Sequence, residues 1–174
     1  SDLKKNLFIF ELNSKKKIAL ISIKKNLKSS DIENLGAEFY GRINHGKNSE
    51  YYIISDSIDT KYNNFLGHFL HGLKLKSYEF NKYKSKKETR LILVNVIGKK
   101  NKPSEKNQLK FKALEAGTFY ARDLVSEPGN VLHPDEYANR LNSLRKDGLK
   151  INIYDDKKLK KLGMHALLGV GQGS

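Results

Sequence analysis

Cysteine is absent from the 174 residues, so neither a disulfide framework nor a thiolate metal site can be built, and a reducing compartment is permitted. Long apolar runs are absent as well: none approaches the roughly 20 residues that span a bilayer, and the amino-terminal SDLKK is not a signal peptide. The expected compartment is the cytoplasm, with no membrane partner. Ser1 in place of Met reads as a processed start or an expression scar and carries no weight for the fold. Arginine is scarce, occurring at Arg42, Arg90, Arg122, Arg140 and Arg145. The formal net charge of +14 is therefore mostly lysine, and the planar fork that reads guanine edges and phosphates is in short supply.

What is present is a globular composition. With 38% hydrophobic residues, nine Tyr and eight Phe, wholesale disorder is excluded. The length holds one ordinary domain, or a small domain and the opening elements of another, but not a two-domain enzyme. The lysines are scattered from Lys15 to Lys161, which favours a solvated surface over a dedicated nucleic-acid groove.

Residues 7–12 (LFIFEL) and 17–23 (KIALISI) have the apolar, β-branched character of two strands around an Asn13-Ser14-Lys15 turn. Ser30 or Asp31 is expected to cap a helix running through Phe39, and residues 51–55 (YYIIS) form a third strand. From Lys61 the spacing of Tyr62, Phe65, Leu66, Phe69, Leu70 and Leu73 predicts a helix with one apolar face. Residues 91–97 (LILVNVI) are continuous enough for a strand buried on both sides, and strands alternating with helices indicate an α/β layer.

A long helix is expected over residues 107–127. One face carries Leu109, Ala113, Ala116, Gly117, Tyr120, Ala121 and Leu124, and Phe111, Leu114 and Val125 widen it, as in a connector packed on two sides. Pro128 ends it. Pro134 then opens a helix with Asp135 and Glu136 in its first turn, and Gly148 stops that helix. The alternation of Leu149, Ile151 and Ile153 predicts a half-buried strand, and Asp155 or Asp156 starts a short helix ending at Gly163.

Several side-chain groups invite chemistry. His68 and His71, three apart on a helix, suit a metal ion, yet structural zinc normally takes four ligands and no carboxylate shares their helical face, so they read as surface or boundary histidines. Asp56 with Asp59, and Asp123 with Glu127, are paired carboxylates; acid–base work needs environments that separate their pKa values, and a structural role is favoured. Gly169, Gly171 and Gly173 do not make a dinucleotide loop, because no helix and no acidic residue follow them. Ser126 and Ser174 lie in no nucleophile elbow. In the segment 72–87 (GLKLKSYEFNKYKSKK), Tyr78, Phe80 and Tyr83 alternate with lysines. Lys76, Tyr78, Lys82, Tyr83 and Lys84 are thus candidate nucleic-acid contacts, against the alternative of rings packed inward and lysines reaching outward.

Residues 72–87 resemble the tyrosine- and lysine-rich stretch of the leucyl aminopeptidase (cytosol aminopeptidase) family. FYARDLVSEPGNVLHPDEYANRL from Phe119 and the closing LGMHALLGVGQGS resemble its interdomain helix and the entry to its catalytic domain. Arg122-Asp123-Leu124-Val125, Glu127-Pro128, Asn130-Val131-Leu132, Pro134 and Gly169 to Ser174 stand in the family's order and spacing. The resemblance covers roughly residues 72–174, and the first 60 or so carry no match. His133 stands where the family usually has Thr or Ser, which implies a weaker cap on the next helix.

The resemblance implies a two-domain metallo-aminopeptidase acting on peptides and assembled as a homohexamer. A macro-domain-like α/β domain, a mixed sheet flanked by helices, would occupy residues 1–104, with an interdomain helix at 105–128. The first αβα elements of a truncated catalytic domain would fill 129–174. In the family two divalent cations, Mn or Zn, activate a water for attack on the first peptide bond, with an Arg-bound bicarbonate assisting. Their Lys, Asp and Glu ligands belong to a later part of the family sequence, so no catalytic, metal or substrate-binding residue is expected here, and this chain alone is expected to be inactive. A basic nucleic-acid-binding module is the alternative. A macro-like nucleotide pocket is the third reading, without a glycine-rich phosphate loop before Gly98 to support it.

Overall fold

Two helices fold onto each other because their apolar residues recur every three or four positions. The first, α1 (Ser29–Ile43), buries Ile32, Leu35, Gly36, Phe39 and Ile43; the second, α2 (Phe65–Lys76), buries Phe65, Leu66, Phe69 and Leu73. The computed structural model describes residues 7–13, 16–24, 26–44, 49–59, 61–85 and 91–172. Ser14 and Lys15 of the expected turn, Lys86 and Lys87 of the basic segment, and Gly173 and Ser174 lie outside the described residues. The chain divides into two units, Ser1–Phe119 and Tyr120–Ser174.

In the first unit, β1 (Leu7–Asn13) and β2 (Lys16–Ile21) pair antiparallel, while β3 (Ser49–Ile54) and β4 (Ile92–Ile97) pair parallel in the register Ser49↔Ile92 to Ile54↔Ile97. The expected single mixed sheet is thus two separate pairs among the described residues. Leu7 joins the α1–α2 core, and Ile21, Tyr51, Ile53, Ile92, Val94 and Val96 pack against it. Because side chains alternate along a strand, Phe10, Leu12, Ile18 and Leu20 of the hairpin face away from it and are exposed, as are Tyr52, Ile54, Leu93 and Ile97. This corrects the strand expected to be buried on both sides: among the described residues β4 is covered on one face.

Other boundaries shift for local reasons. Asp31 does not precede α1 but sits in its first turn, where its Oδ2 accepts from the Lys28 amide at 2.8 Å. The helix expected from Lys61 begins at Phe65, after Asn64 takes a left-handed conformation at φ 60°. The axes of α1 and α2 approach closely at two glycines. A Cβ on Gly36 would overlap the Phe69 carbonyl, and one on Gly72 the Glu33 carbonyl.

The long helix α3 (Glu105–Ser126) forms as expected, but its only buried residue is Phe111. Leu109, Leu114 and Val125 of the predicted broad stripe are exposed, so the helix is not covered on two sides among the described residues. In the second unit follow α4 (Pro134–Ser143), α5 (Asp156–Lys161) and α6 (His165–Gly171). Pro134 opens α4 and Asp155 caps α5 by accepting from the Lys158 amide at 2.8 Å. His133 precedes α4 without a side-chain cap. The strand expected over residues 149–154 is not formed: a strand needs a partner ladder, none is described in this unit, and Arg145 Nη2 instead donates to the Ile151 carbonyl. The αβα expectation is therefore corrected to helices joined by an extended segment.

Candidate functional site

The ends of β3 and β4 are tied by a carboxylate. After β3 the chain makes a short 3-10 turn at Ser55–Ser57, and Asp56 Oδ1 accepts from the amides of Lys99 and Lys100, at 2.8 and 2.6 Å, in the turn after β4. Asn101 Nδ2 donates back to the carbonyls of Ser55 and Ile58 at 3.2 and 2.9 Å. Gly98, at φ 118°, has no room for a Cβ beside Ser55 and Asp56. The Lys100 and then the Lys99 amide hold the Asp56 carboxyl below the ordinary aspartate range, since donors to the ionised form favour it. Asp56 therefore fastens backbone, and Asp59 is not drawn into that clasp.

The linkage sign follows. A depressed folded pKa gives stability that is complete above the ordinary aspartate range and is lost as pH falls through the folded value. Thermal melts from about pH 2 to 7 should show wild type more stable than Asp56→Asn near neutrality, with the gap closing in acid. A gap independent of pH would contradict the clasp.

His68 lies at the boundary of the core, as the surface-or-boundary reading allowed, and His71 is buried. His68 Nδ1 lies 2.9 Å from Glu33 Oε1 of α1, and His71 Nδ1 lies 2.9 Å from Glu115 Oε1 of α3. His71 is buried and His68 partly so. Both rings touch Phe111, His68 edge-on at 5.0 Å between centroids and His71 stacked at 4.7 Å. The sequence reading sought carboxylates on the histidines' own helix, whereas they arrive from two others. Among the described residues no three His, Cys, Asp or Glu side chains gather to hold a metal ion.

In the basic segment, Tyr78 packs on Phe119 at 5.2 Å, and Phe80 lies 5.8 Å from Tyr83. Lys82 Nζ sits 5.5 Å above the Tyr83 ring. Tyr83 is 52% exposed, and Lys76, Lys82 and Lys84 are exposed. The structure thus divides the candidate contacts: Tyr78 is engaged in ring packing, and Tyr83 with its lysines faces solvent.

The second unit carries an ionic cluster at the turn after α3. The amides of Val131 and Leu132 both donate to the Pro128 carbonyl at 2.9 Å, turning the chain back so that α4 faces the end of α3. Arg140 Nη1 then donates to Glu127 Oε1 at 2.9 Å, and Arg140 Nε to Glu136 Oε1 at 2.8 Å. The Glu127 side chain is 2% exposed. Glu136 and then Glu127 push the Arg140 guanidinium further from deprotonation. Glu127, read beside Arg122, is thus a buried carboxylate clamped by an arginine thirteen residues on, a distance that no helical spacing reveals. Beside the same turn lies an open hollow of about 560 Å³ lined by Gly129, Leu132, His133, Pro134 and Tyr137.

Residues 119–174 match the cytosol aminopeptidase family, catalytic domain. A probable cytosol aminopeptidase of Agrobacterium fabrum is 43% identical over 112 residues, 61% of this chain and 22% of its own length. Another from Nitrobacter winogradskyi is 35% identical over 158 residues, 85% of this chain and 31% of its own. That alignment is long enough to reach into the amino-terminal part, where the sequence reading found no match. A solved variant of tomato leucine aminopeptidase superposes with TM-score 0.74 at 18% identity, over 90% of this chain and 33% of its own. The bottromycin maturation enzyme BotP superposes at 0.69 and 19% identity, over 97% and 37%.

The fold is a mixed α/β arrangement of the aminopeptidase kind. The chain belongs to the cytosol (leucyl) aminopeptidase family of metal-dependent hydrolases, as part of the family's length. It spans between about a fifth and a third of the length of these two curated relatives.

Proposed function

We propose that the chain is the amino-terminal, non-catalytic region of a leucyl aminopeptidase, together with the entry to its catalytic domain. The observation that carries this is the onset of the catalytic-domain match at residue 119, inside α3 and downstream of an α/β unit. The whole protein then releases amino-terminal residues from peptides with a pair of divalent cations, Mn or Zn. It assembles as a homohexamer and resides in the cytoplasm, as the relatives' name has it. No described helix is long and apolar enough to cross a membrane. In this reading a macro-like unit occupies residues 1–104, the connecting helix 105–128 and the start of the catalytic domain 129–174.

A polypeptide of these 174 residues, supplied with manganese and a leucine anilide, should give no turnover above the uncatalysed rate. The full-length gene product should turn over readily. Appreciable hydrolysis by the 174-residue polypeptide would overturn the assignment of a non-catalytic region.

A second reading rests on Tyr83, half exposed with Lys82 above its ring and Phe80 beside it. It makes the face carrying Lys76, Tyr78, Lys82, Tyr83 and Lys84 a contact for single-stranded nucleic acid. One stacked base contributes about 1–3 kcal/mol, so Tyr83→Ala should weaken single-stranded DNA binding at least about fivefold, on top of a steep salt dependence. Affinity unchanged by both salt and Tyr83→Ala would remove this reading.

A further inference from the structure

Three helices meet at Phe111. Its ring lies between His68 and His71 of α2, and each histidine is oriented by a carboxylate from a different helix. We propose that this cluster is a latch: it holds α3 on the α1–α2 pair at one detachable point, and α3 comes off as a unit while α1 and α2 stay folded.

The asymmetry of the cluster supports this. Glu33 belongs to α1, so the His68–Glu33 bond stays within the α1–α2 pair. Among the described residues, the His71–Glu115 bond, the Phe111 ring contacts and Phe119 against Tyr78 tie α3 to the rest of the first unit. When α3 leaves, His68 keeps its carboxylate, and His71 exchanges Glu115 for water. The burial is just as uneven. Alpha-one and α2 supply most of the buried core and interlock through Gly36 and Gly72, whereas α3 buries Phe111 alone and leaves Leu109 and Leu114 in solvent. Elements that bury few apolar contacts open at lower free energy than the global transition. The helix fastened this way is the one inside which the catalytic-domain match begins.

Hydrogen exchange on the 174-residue chain tests the latch. Amides in the first half of α3 should exchange at least about tenfold faster than those in the middle of α2. Phe111→Ala should speed α3 by a further factor of about ten and leave α2 within about twofold. Glu115→Gln, which keeps the side chain's shape, should produce a smaller acceleration in α3 alone, whereas Glu33→Gln should act on α1 and α2. Equal protection of α2 and α3 in the wild-type chain would overturn the proposal. So would an equal acceleration of both helices by Phe111→Ala and by Glu115→Gln, since α3 would then be part of a single cooperative unit.

Discussion

Gly72→Leu should abolish cooperative folding of the first unit. The Cβ of any larger residue at Gly72 would meet the carbonyl, carbonyl carbon and Cα of Glu33, all backbone, and backbone does not rotate aside as a side chain does. Relief requires α1 and α2 to separate, which opens the core around Ile32 and Leu66, at 0% and 1% exposure. Overpacking a core costs about 1–3 kcal/mol when side chains can adjust, and more when they cannot. Against a total stability of about 5–15 kcal/mol for a small domain, a loss above about 4 kcal/mol leaves little folded population. The milder Gly72→Ala is the sharper measurement. Alanine is ordinarily better than glycine in a helix by about 0.5–1 kcal/mol. Gly41 of α1, whose Cβ would meet nothing within 4 Å, should show that ordinary gain. At Gly72 the sign should reverse. Urea melts of the two alanine variants decide it, and a Gly72→Ala chain as stable as wild type would refute the close approach.

An excised peptide of residues 120–174 should be largely unfolded in water. Among the described residues of this unit no apolar side chain is buried; Val125 is 88% exposed and Val170 73%. Burial of apolar surface at about 25 cal/mol per Å² is the main favourable contribution to folding, and conformational entropy opposes it in every residue ordered. Its helices α4, α5 and α6 have 10, 6 and 7 residues, below the about 12–15 that are marginal even in good helix-forming sequences. The Glu127–Arg140–Glu136 cluster is its most closely built feature, and a clamp of ions does not replace a core. Circular dichroism should therefore show weak helicity with no sigmoidal melt. A cooperative transition would show that packing among these helices is stronger than their exposure implies.

How much of this was legible beforehand depended on the range of the interaction. The periodicity of Phe65, Leu66, Phe69 and Leu73 located α2, and Pro134 and Asp155 marked two helix starts, because such signals act within a turn or two. The left-handed Asn64 moved the start of α2 without any mark in the apolar pattern. Residues 149–154 alternate as a strand does, yet alternation fixes only which side chains share a face; a strand exists by pairing. The same limit hid the candidate sites. Glu33 and Glu115 reach the histidines across 35 and 44 residues of chain, and Arg140 reaches Glu127 across 13, separations that tertiary folding alone closes. The family resemblance, carried by the order of Arg122 to Pro134, reached the assignment that local chemistry did not.

The outer faces of the two strand pairs have a consequence for the chain as a colloid. Phe10, Leu12, Ile18 and Leu20 on one pair and Tyr52, Ile54, Leu93 and Ile97 on the other offer water an oily surface, the kind of surface through which proteins associate. Like charges hold such molecules apart, and the net charge of +14 supplies that repulsion. Its reach is the Debye length, about 10 Å at 0.1 M salt and about 3 Å at 1 M. The lysines scattered through this sequence thus act together as a stabiliser of the dispersion, and concentrated salt, by shortening their reach, lets the uncovered faces find one another.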